Sequence, residues 1–272
     1  MASRSSKSSR PAEALDASSG SSLSDFVTQG YLEASRRPLE ILFFLLPFIT
    51  LYEYELVRVL QSSQGLVTNG AHLAILRLFD AFGLDAVALS LPGFLLVAIF
   101  LIQHVLKGGP WIVDLSVVGR MFGESAALSI PLLVFAALVE RMSPMAQVDG
   151  FADLSLTARL SISMGAGLYE ELVFRMALIA LVIAICTELL KLPKRMSLLL
   201  ALCVSSIAFA LYHPLRGVDG VFVPARFIFF LGGGLYFGLM YVYRGFGIAA
   251  ATHALFDIAT ALLMPPADLN AV

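Results

Sequence analysis

The sequence predicts an all-α fold, a polytopic transmembrane helix bundle with about seven spans. Of the 272 residues, 58% are apolar and only 14% are charged, whereas soluble domains carry about 25% charged residues. The mean hydropathy of +0.85 argues against an ordinary water-soluble fold. No apolar run shows the alternation of apolar and polar residues that is typical of a membrane barrel strand. Backbone N–H and C=O groups that face lipid must form hydrogen bonds within their own segment. The spans are therefore predicted to be helices.

The chain divides into a polar start, a series of apolar runs and a short end. Residues 1–38 are rich in serine, alanine and charge, and we expect a disordered cytoplasmic tail without the apolar stretch of a signal peptide. Residues 39–150 hold the N-terminal spans, residues 151–264 hold the later spans, and residues 265–272 form a tail. A helix needs about 20 mostly apolar residues to cross a bilayer. The runs near this length are residues 39–60, 86–106, 118–139, 160–185, 196–212, 224–243 and 247–264.

The remaining segments predict topology and partners. Residues 66–83 are apolar but interrupted by polar and charged residues, so an interfacial or re-entrant helix is predicted there. Arg36 and Arg37 precede the first span, and a modest excess of basic residues in later loops falls on the same side. This pattern predicts an inside N-terminus and an outside C-terminus. The net charge of −2 gives no indication of a nucleic-acid partner.

Ionisable residues are concentrated in three of the later spans. Such residues cost several kcal/mol inside a bilayer, so each is a functional hypothesis. The fourth span contains two adjacent glutamates and an arginine, the fifth ends in a histidine, and the seventh contains a histidine and an aspartate. These residues are Glu170, Glu171, Arg175, His213, His253 and Asp257.

Helical spacing predicts which of these side chains act together. Glu171 and Arg175 are four residues apart on one face, which favours a buried ion pair with a structural role. Glu170 is turned by about 100° from Glu171 in an α-helix, so we expect it to face a different helix. His253 and Asp257 also share a face, and Phe209 lies one turn before His213 and is expected to pack against the same neighbour.

The residue types favour hydrolysis by an activated water. In this hypothesis Glu170 is the base, His213 helps to hold the water, and His253 with Asp257 stabilises the oxyanion of a tetrahedral intermediate. The set Glu170, His213 and His253 could instead bind zinc, which accepts imidazole and carboxylate ligands. The absence of an H-E-x-x-H pair from the sequence argues against the zinc alternative.

Three motifs carry a resemblance to a known family. Glu170-Glu171-x-x-x-Arg175, Phe209-x-x-x-His213 and His253-x-x-x-Asp257 resemble the motifs of the CPBP intramembrane proteases, which include type II CAAX prenyl endopeptidases and bacteriocin-processing or immunity (Abi) proteins. The resemblance implies that residues 151–264 form a catalytic helix core. It implies a metal-free glutamate endopeptidase with Glu170 as the base, His213 on the water, and His253 and Asp257 at the oxyanion. The last motif more often ends in asparagine, and an aspartate donates a hydrogen bond only when it is protonated.

The same resemblance implies a substrate class and a location. We expect a membrane-anchored protein or peptide substrate in contact with the lipid bilayer, no cofactor, and a place in a bacterial inner membrane. Two non-protease alternatives stay open, namely a non-enzymatic immunity or scaffold protein and a proton-coupled transporter. Additional acidic residues in other spans, Glu53, Glu55 and Glu124, keep the transporter alternative open.

Overall fold

The computed structural model describes residues 30–61, 70–84, 91–142, 154–217 and 219–263. These residues form helices and contain no strand, which confirms the predicted all-α fold. The helices are α1 (Pro38–Gln61), α2 (Gly70–Asp80), α3 (Leu91–Lys107), α4 (Leu115–Met142), α5 (Leu156–Leu189), α6 (Lys194–Tyr212), α7 (Pro224–Arg244) and α8 (Phe246–Leu263).

Helices α4 to α8 are long and apolar enough to cross a membrane, and the protein is an integral multi-pass membrane protein. The other two predicted spans correspond to α1 and α3. Helix α1 has 24 residues but carries several acidic side chains, and α3 has only 17 residues. The predicted interfacial segment contains α2, whose Ala71, His72 and Ile75 are buried against the bundle.

The folded part of the chain begins ahead of the predicted boundary at residue 38. Residues 1–29 and 264–272 lie outside the described residues, but residues 30–34 already form a helical turn. Tyr31 in this turn donates a hydrogen bond to Glu124, which also pairs with Arg244 at 2.5 Å. Burial and the adjacent Glu124 carboxylate raise the pKa of Tyr31, so its hydroxyl stays a donor. Tertiary contacts thus hold residues 30–34, which the sequence analysis assigned to the tail.

Helix α8 lies in the centre of the bundle and packs against α4, α5 and α7. Its buried face is made of small residues such as Ala250 and Ala254, which allow neighbouring backbones to approach closely. Opposite them lies Gly167 of α5, where a Cβ atom would be 2.5 Å from the Ala250 carbonyl oxygen. This close approach brings the polar side chains of α5 and α8 into contact.

Helix α5 changes its hydrogen-bond pattern along its length. Residues Leu156–Gly165 are α-helical, but Ala166–Leu178 form a π-helix of 13 residues. A π-helix has i→i+5 hydrogen bonds, and such stretches are frequently found at functional sites. The wider turn includes both glutamates and the arginine of the first motif.

Candidate active site

Glu170 lies between two imidazole rings that come from different helices. Its Oε2 atom is 3.6 Å from Nε2 of His213, which follows α6, and 3.9 Å from Nε2 of His253 on α8. The Glu170 residue is only 3% exposed. Both distances are too long for direct hydrogen bonds, and a water molecule is the natural bridge across such a gap.

Hydrogen bonds on the opposite side of each ring define which nitrogen faces Glu170. His213 Nδ1 is 2.7 Å from the Phe209 carbonyl oxygen, which can only accept, so Nδ1 carries a proton. His253 Nδ1 is 2.8 Å from Glu171 Oε1. The Nε2 atoms of both rings are therefore directed toward the space beside Glu170.

Glu171 and Arg175 form the predicted ion pair. Arg175 NH1 lies 3.0 Å from Glu171 Oε1, and both side chains are completely buried. Arg175 also donates to the Gly234 carbonyl oxygen at 3.2 Å, and its guanidinium carbon lies 4.1 Å from the centre of the Phe209 ring. A single oxygen of Glu171 thus joins Arg175 to His253.

The two glutamates face partly different neighbours. Glu171 contacts α8, while Glu170 faces His213 at the end of α6 as well as α8. The π-helical turn changes the rotation between adjacent residues only slightly from the ~100° of an α-helix. Both carboxylates nevertheless approach His253, one near each of its ring nitrogens.

Two aromatic residues that the sequence analysis missed hold the imidazole planes. Phe230 stacks on His213 with ring centres 4.0 Å apart, and Phe237 stacks on His253 with ring centres 4.3 Å apart. They lie seven residues apart on α7, a spacing of two helical turns that places them on one face. Phe209 also contacts Phe237, so Phe209 and His213 pack against the same helix, as predicted. Their spacing of seven residues is the sequence feature that could have identified them as two residues on one helix face.

A cavity of about 70 Å³ opens beside these groups. Asp257 lies at the more exposed part of its wall, with 26% of its side chain accessible, and its Oδ2 is 3.5 Å from His253 Nε2. Polar atoms line one side of the cavity and aromatic rings line most of the rest. The lining residues are Leu132, Glu170, Phe209, His213, Phe229, Phe230, Gly233, Phe237, His253, Phe256 and Asp257.

A metal ion requires several ligand atoms directed at one point. Within the described ranges, no group of three or more His, Cys, Asp or Glu side chains is placed to hold a metal ion. This includes Glu170, His213 and His253, the ligands of the zinc alternative.

Fold and site together define a multi-pass membrane protein with a carboxylate–imidazole centre among its helices. Residues 153–259 match the Rce1-like family model, described as type II CAAX prenyl endopeptidase Rce1-like. The matched region contains all three motifs, and the match agrees with the resemblance that they carry. The matched family is a protease family, which supports a peptidase. No curated protein and no solved structure matches the chain.

Proposed function

We propose that the protein is an intramembrane endopeptidase that hydrolyses a peptide bond of a membrane-associated protein or peptide with a water activated by Glu170. The observation that carries the proposal is the position of Glu170 Oε2, 3.6 Å and 3.9 Å from two imidazole Nε2 atoms. The family match over residues 153–259 supports the same class of reaction.

The first step needs a water between Glu170 and His213. In neutral His213, Nδ1 donates to Phe209 and Nε2 is an acceptor, so the water donates one proton to Nε2 and the other to Glu170. The lone pair of the water oxygen is then free to attack. As the new C–O bond forms, Glu170 takes the water proton and the carbonyl oxygen becomes an oxyanion.

His253 and Asp257 act on the opposite side of the carbonyl. Since Glu171 accepts from His253 Nδ1, His253 donates from Nε2 only as an imidazolium, which the Glu171 carboxylate stabilises. The imidazolium stabilises the oxyanion, and Asp257 orients it or donates when protonated. Glu170 then passes its proton to the leaving nitrogen and the C–N bond breaks. The new carboxyl group gives its remaining hydroxyl proton to the freed amine, so a carboxylate and an ammonium group are released.

The acidic residues that suggested a transporter each bond to a local partner. Glu53 accepts from Tyr169, Glu55 pairs with Arg58, and Glu124 pairs with Arg244. These contacts give each carboxylate a structural role, so a proton relay is not needed to account for them. We therefore favour the protease over the transporter.

Replacement of the base tests the proposal. Glu170→Gln keeps the shape of the side chain and removes proton transfer, and Glu188→Gln, an exposed change on the same helix, is the matched control. The probes are membrane-anchored fluorogenic peptides, in prenylated and unprenylated pairs, with protein in liposomes. We expect Glu170→Gln to lower kcat by about 10²–10⁴-fold, the range of general-base catalysis. Unchanged cleavage by the folded variant would overturn the proposal, and a non-enzymatic immunity or scaffold role would then be favoured.

Metal dependence is tested on the same preparation. We propose a metal-free reaction, so cleavage is expected to continue at the same rate in excess chelator. Loss of activity with chelator and its return on adding zinc would support the zinc-dependent version instead. The comparison of prenylated with unprenylated peptides decides between a CAAX-like substrate and a leader or sorting peptide. Cell fractionation tests the proposed bacterial inner-membrane location.

A further inference from the structure

A second buried polar cluster lies directly before Glu170 in the sequence. Tyr169, which is completely buried, donates from its hydroxyl to Glu53 Oε1 of α1 at 2.6 Å. The Glu53 carboxylate also accepts from the backbone N–H of Gly93 on α3. A Cβ atom at Gly93 would lie 2.6 Å from Glu53 Oε1, so a larger residue there would displace the carboxylate from this backbone. Glu53 thus connects α1, α3 and the π-helical segment of α5.

Three rings surround this hydrogen bond. Those of Tyr52, His72 and Tyr169 lie with their centres 4.9 to 5.4 Å apart, and the Tyr52 hydroxyl is hydrogen bonded to His72 Nδ1. This ring cluster contains residues from α1, α2 and α5. The interfacial helix α2 is thereby packed against the segment that carries the first motif.

The start of the π-helical segment is shaped to receive this cluster. A Cβ atom at Gly165 would lie 2.3 Å from Cε2 of Tyr52, so the Tyr52 ring rests directly on the backbone where the π-helix begins. Two residues later, Gly167 is in contact with the backbone of α8. The turn that leads to Glu170 is therefore held by α1 on one side and by α8 on the other.

We propose that Tyr169 and Glu53 are positioning residues that fix the rotation of the π-helical turn, and thereby hold Glu170 between its two imidazoles. Tyr169 and Glu170 are adjacent and point to different neighbours, so a rotation that releases Tyr169 from Glu53 moves the Glu170 carboxylate. The gaps of 3.6 Å and 3.9 Å around Glu170 leave little room for such a shift. A displacement of about 1 Å in a reacting group can lower a rate by about 10²-fold.

A matched set of variants isolates the hydrogen bond. Tyr169→Phe removes the donor, and Glu53→Leu removes the acceptor. Glu53→Gln keeps the oxygen that accepts from Tyr169. Its NH₂ group takes the place of Oε2, an atom that has no hydrogen-bond partner among the described residues. The control is Tyr31→Phe, which removes the same kind of tyrosine–glutamate hydrogen bond. Neither Tyr31 nor its partner Glu124 lines the cavity.

The first measurement is kinetic and rests on the proposed function. We expect Tyr169→Phe and Glu53→Leu to lower kcat at least tenfold per folded molecule, with KM within about twofold, because orientation affects the reacting group and not substrate binding. Glu53→Gln and Tyr31→Phe are expected to stay within about threefold of the parent kcat. The inference would be overturned if folded Tyr169→Phe had the same kcat as the parent. It would also be overturned if the loss of activity in the variants were explained entirely by their unfolded fraction.

The second measurement needs no peptidase activity. Dicyclohexylcarbodiimide labels protonated carboxyl groups in membranes, and mass spectrometry of the labelled peptides reports Glu170 separately from Glu53. We expect Tyr169→Phe and Glu53→Leu to raise the rate of Glu170 labelling at least threefold, and Glu53→Gln to leave it unchanged. A parent labelling rate in Tyr169→Phe contradicts the positioning role. If Glu170→Gln keeps full cleavage, the proposed function fails, and the labelling result still decides this inference.

Discussion

Removal of the Arg175 charge is expected to destabilise the protein strongly. The side chain is completely buried and lies 3.0 Å from Glu171 Oε1, with a further bond to the Gly234 carbonyl. In Arg175→Met the volume is nearly kept, but the Glu171 carboxylate loses its permanent countercharge. Breaking a buried ion pair by removing one partner costs about 3–5 kcal/mol, because the remaining charge is left in a low-dielectric environment.

The structure places the expected loss at the lower end of that range. His253 Nδ1 still lies 2.8 Å from Glu171 Oε1 and continues to donate to it, so the carboxylate keeps one partner. We therefore expect a loss of about 3 kcal/mol, or about two orders of magnitude in the folding equilibrium. The double variant Glu171→Gln with Arg175→Met removes both charges and is expected to recover most of the stability. Its activity is expected to stay low because His253 has lost the carboxylate that stabilises its charged form.

Thiol labelling provides the stability assay. Cys186 is buried and Cys203 is exposed, so in a Cys203→Ala background a thiol-reactive dye reports unfolding through Cys186. The control is Arg58→Met, which breaks a pair whose arginine side chain is 56% exposed and is expected to lose less than about 1 kcal/mol. Parent-like unfolding of Arg175→Met, or a double variant that is less stable than the single one, would contradict the expected cost of an uncompensated Glu171 charge.

Two further changes probe close packing and the last motif. Gly167→Ala places a Cβ atom 2.5 Å from the Ala250 carbonyl, so we expect a loss of about 1–3 kcal/mol and of activity. The control is Gly123→Ala, because no atom lies within 4 Å of a Cβ atom at that position. Thermal unfolding measures both variants, and equal Tm values would contradict the expected clash at Gly167. Asp257→Asn supplies an amide donor beside His253 at every pH, so we expect cleavage to persist at alkaline pH where the parent activity falls. Identical pH–rate profiles would count against a protonated Asp257 donor.

The sequence was sufficient for the helices because bilayer crossing imposes a length and a composition that are visible in one chain. The predicted runs differ from the observed helices mainly at their ends. For example, residues 160–185 were predicted where α5 covers Leu156–Leu189. The ends were less predictable because capping and tertiary contacts decide them, as at Tyr31, where a bond to Glu124 orders a polar segment.

The arrangement of the site could be predicted only in part. The ion pair of Glu171 and Arg175 follows from a spacing of four residues, since the two side chains remain neighbours in either type of helix. The neighbours of Glu170 do not follow from spacing, because its two imidazole partners depend on how α6 and α8 pack against α5, which a single sequence leaves open. The partners Phe230 and Phe237 depend on how α7 packs against α6 and α8, which a single sequence leaves open.

Two adjacent glutamates are tolerated in this bundle because they have different surroundings. Glu171 is completely buried, and its Oε1 is shared by Arg175 and by His253 Nδ1, so its charge is compensated. Glu170 lines the cavity, and its Oε2 lies 3.6 Å and 3.9 Å from the Nε2 atoms of His213 and His253. A compensated carboxylate cannot readily take a proton, whereas one that faces water can. These different surroundings are consistent with the proposed roles, electrostatic support for Glu171 and proton transfer for Glu170.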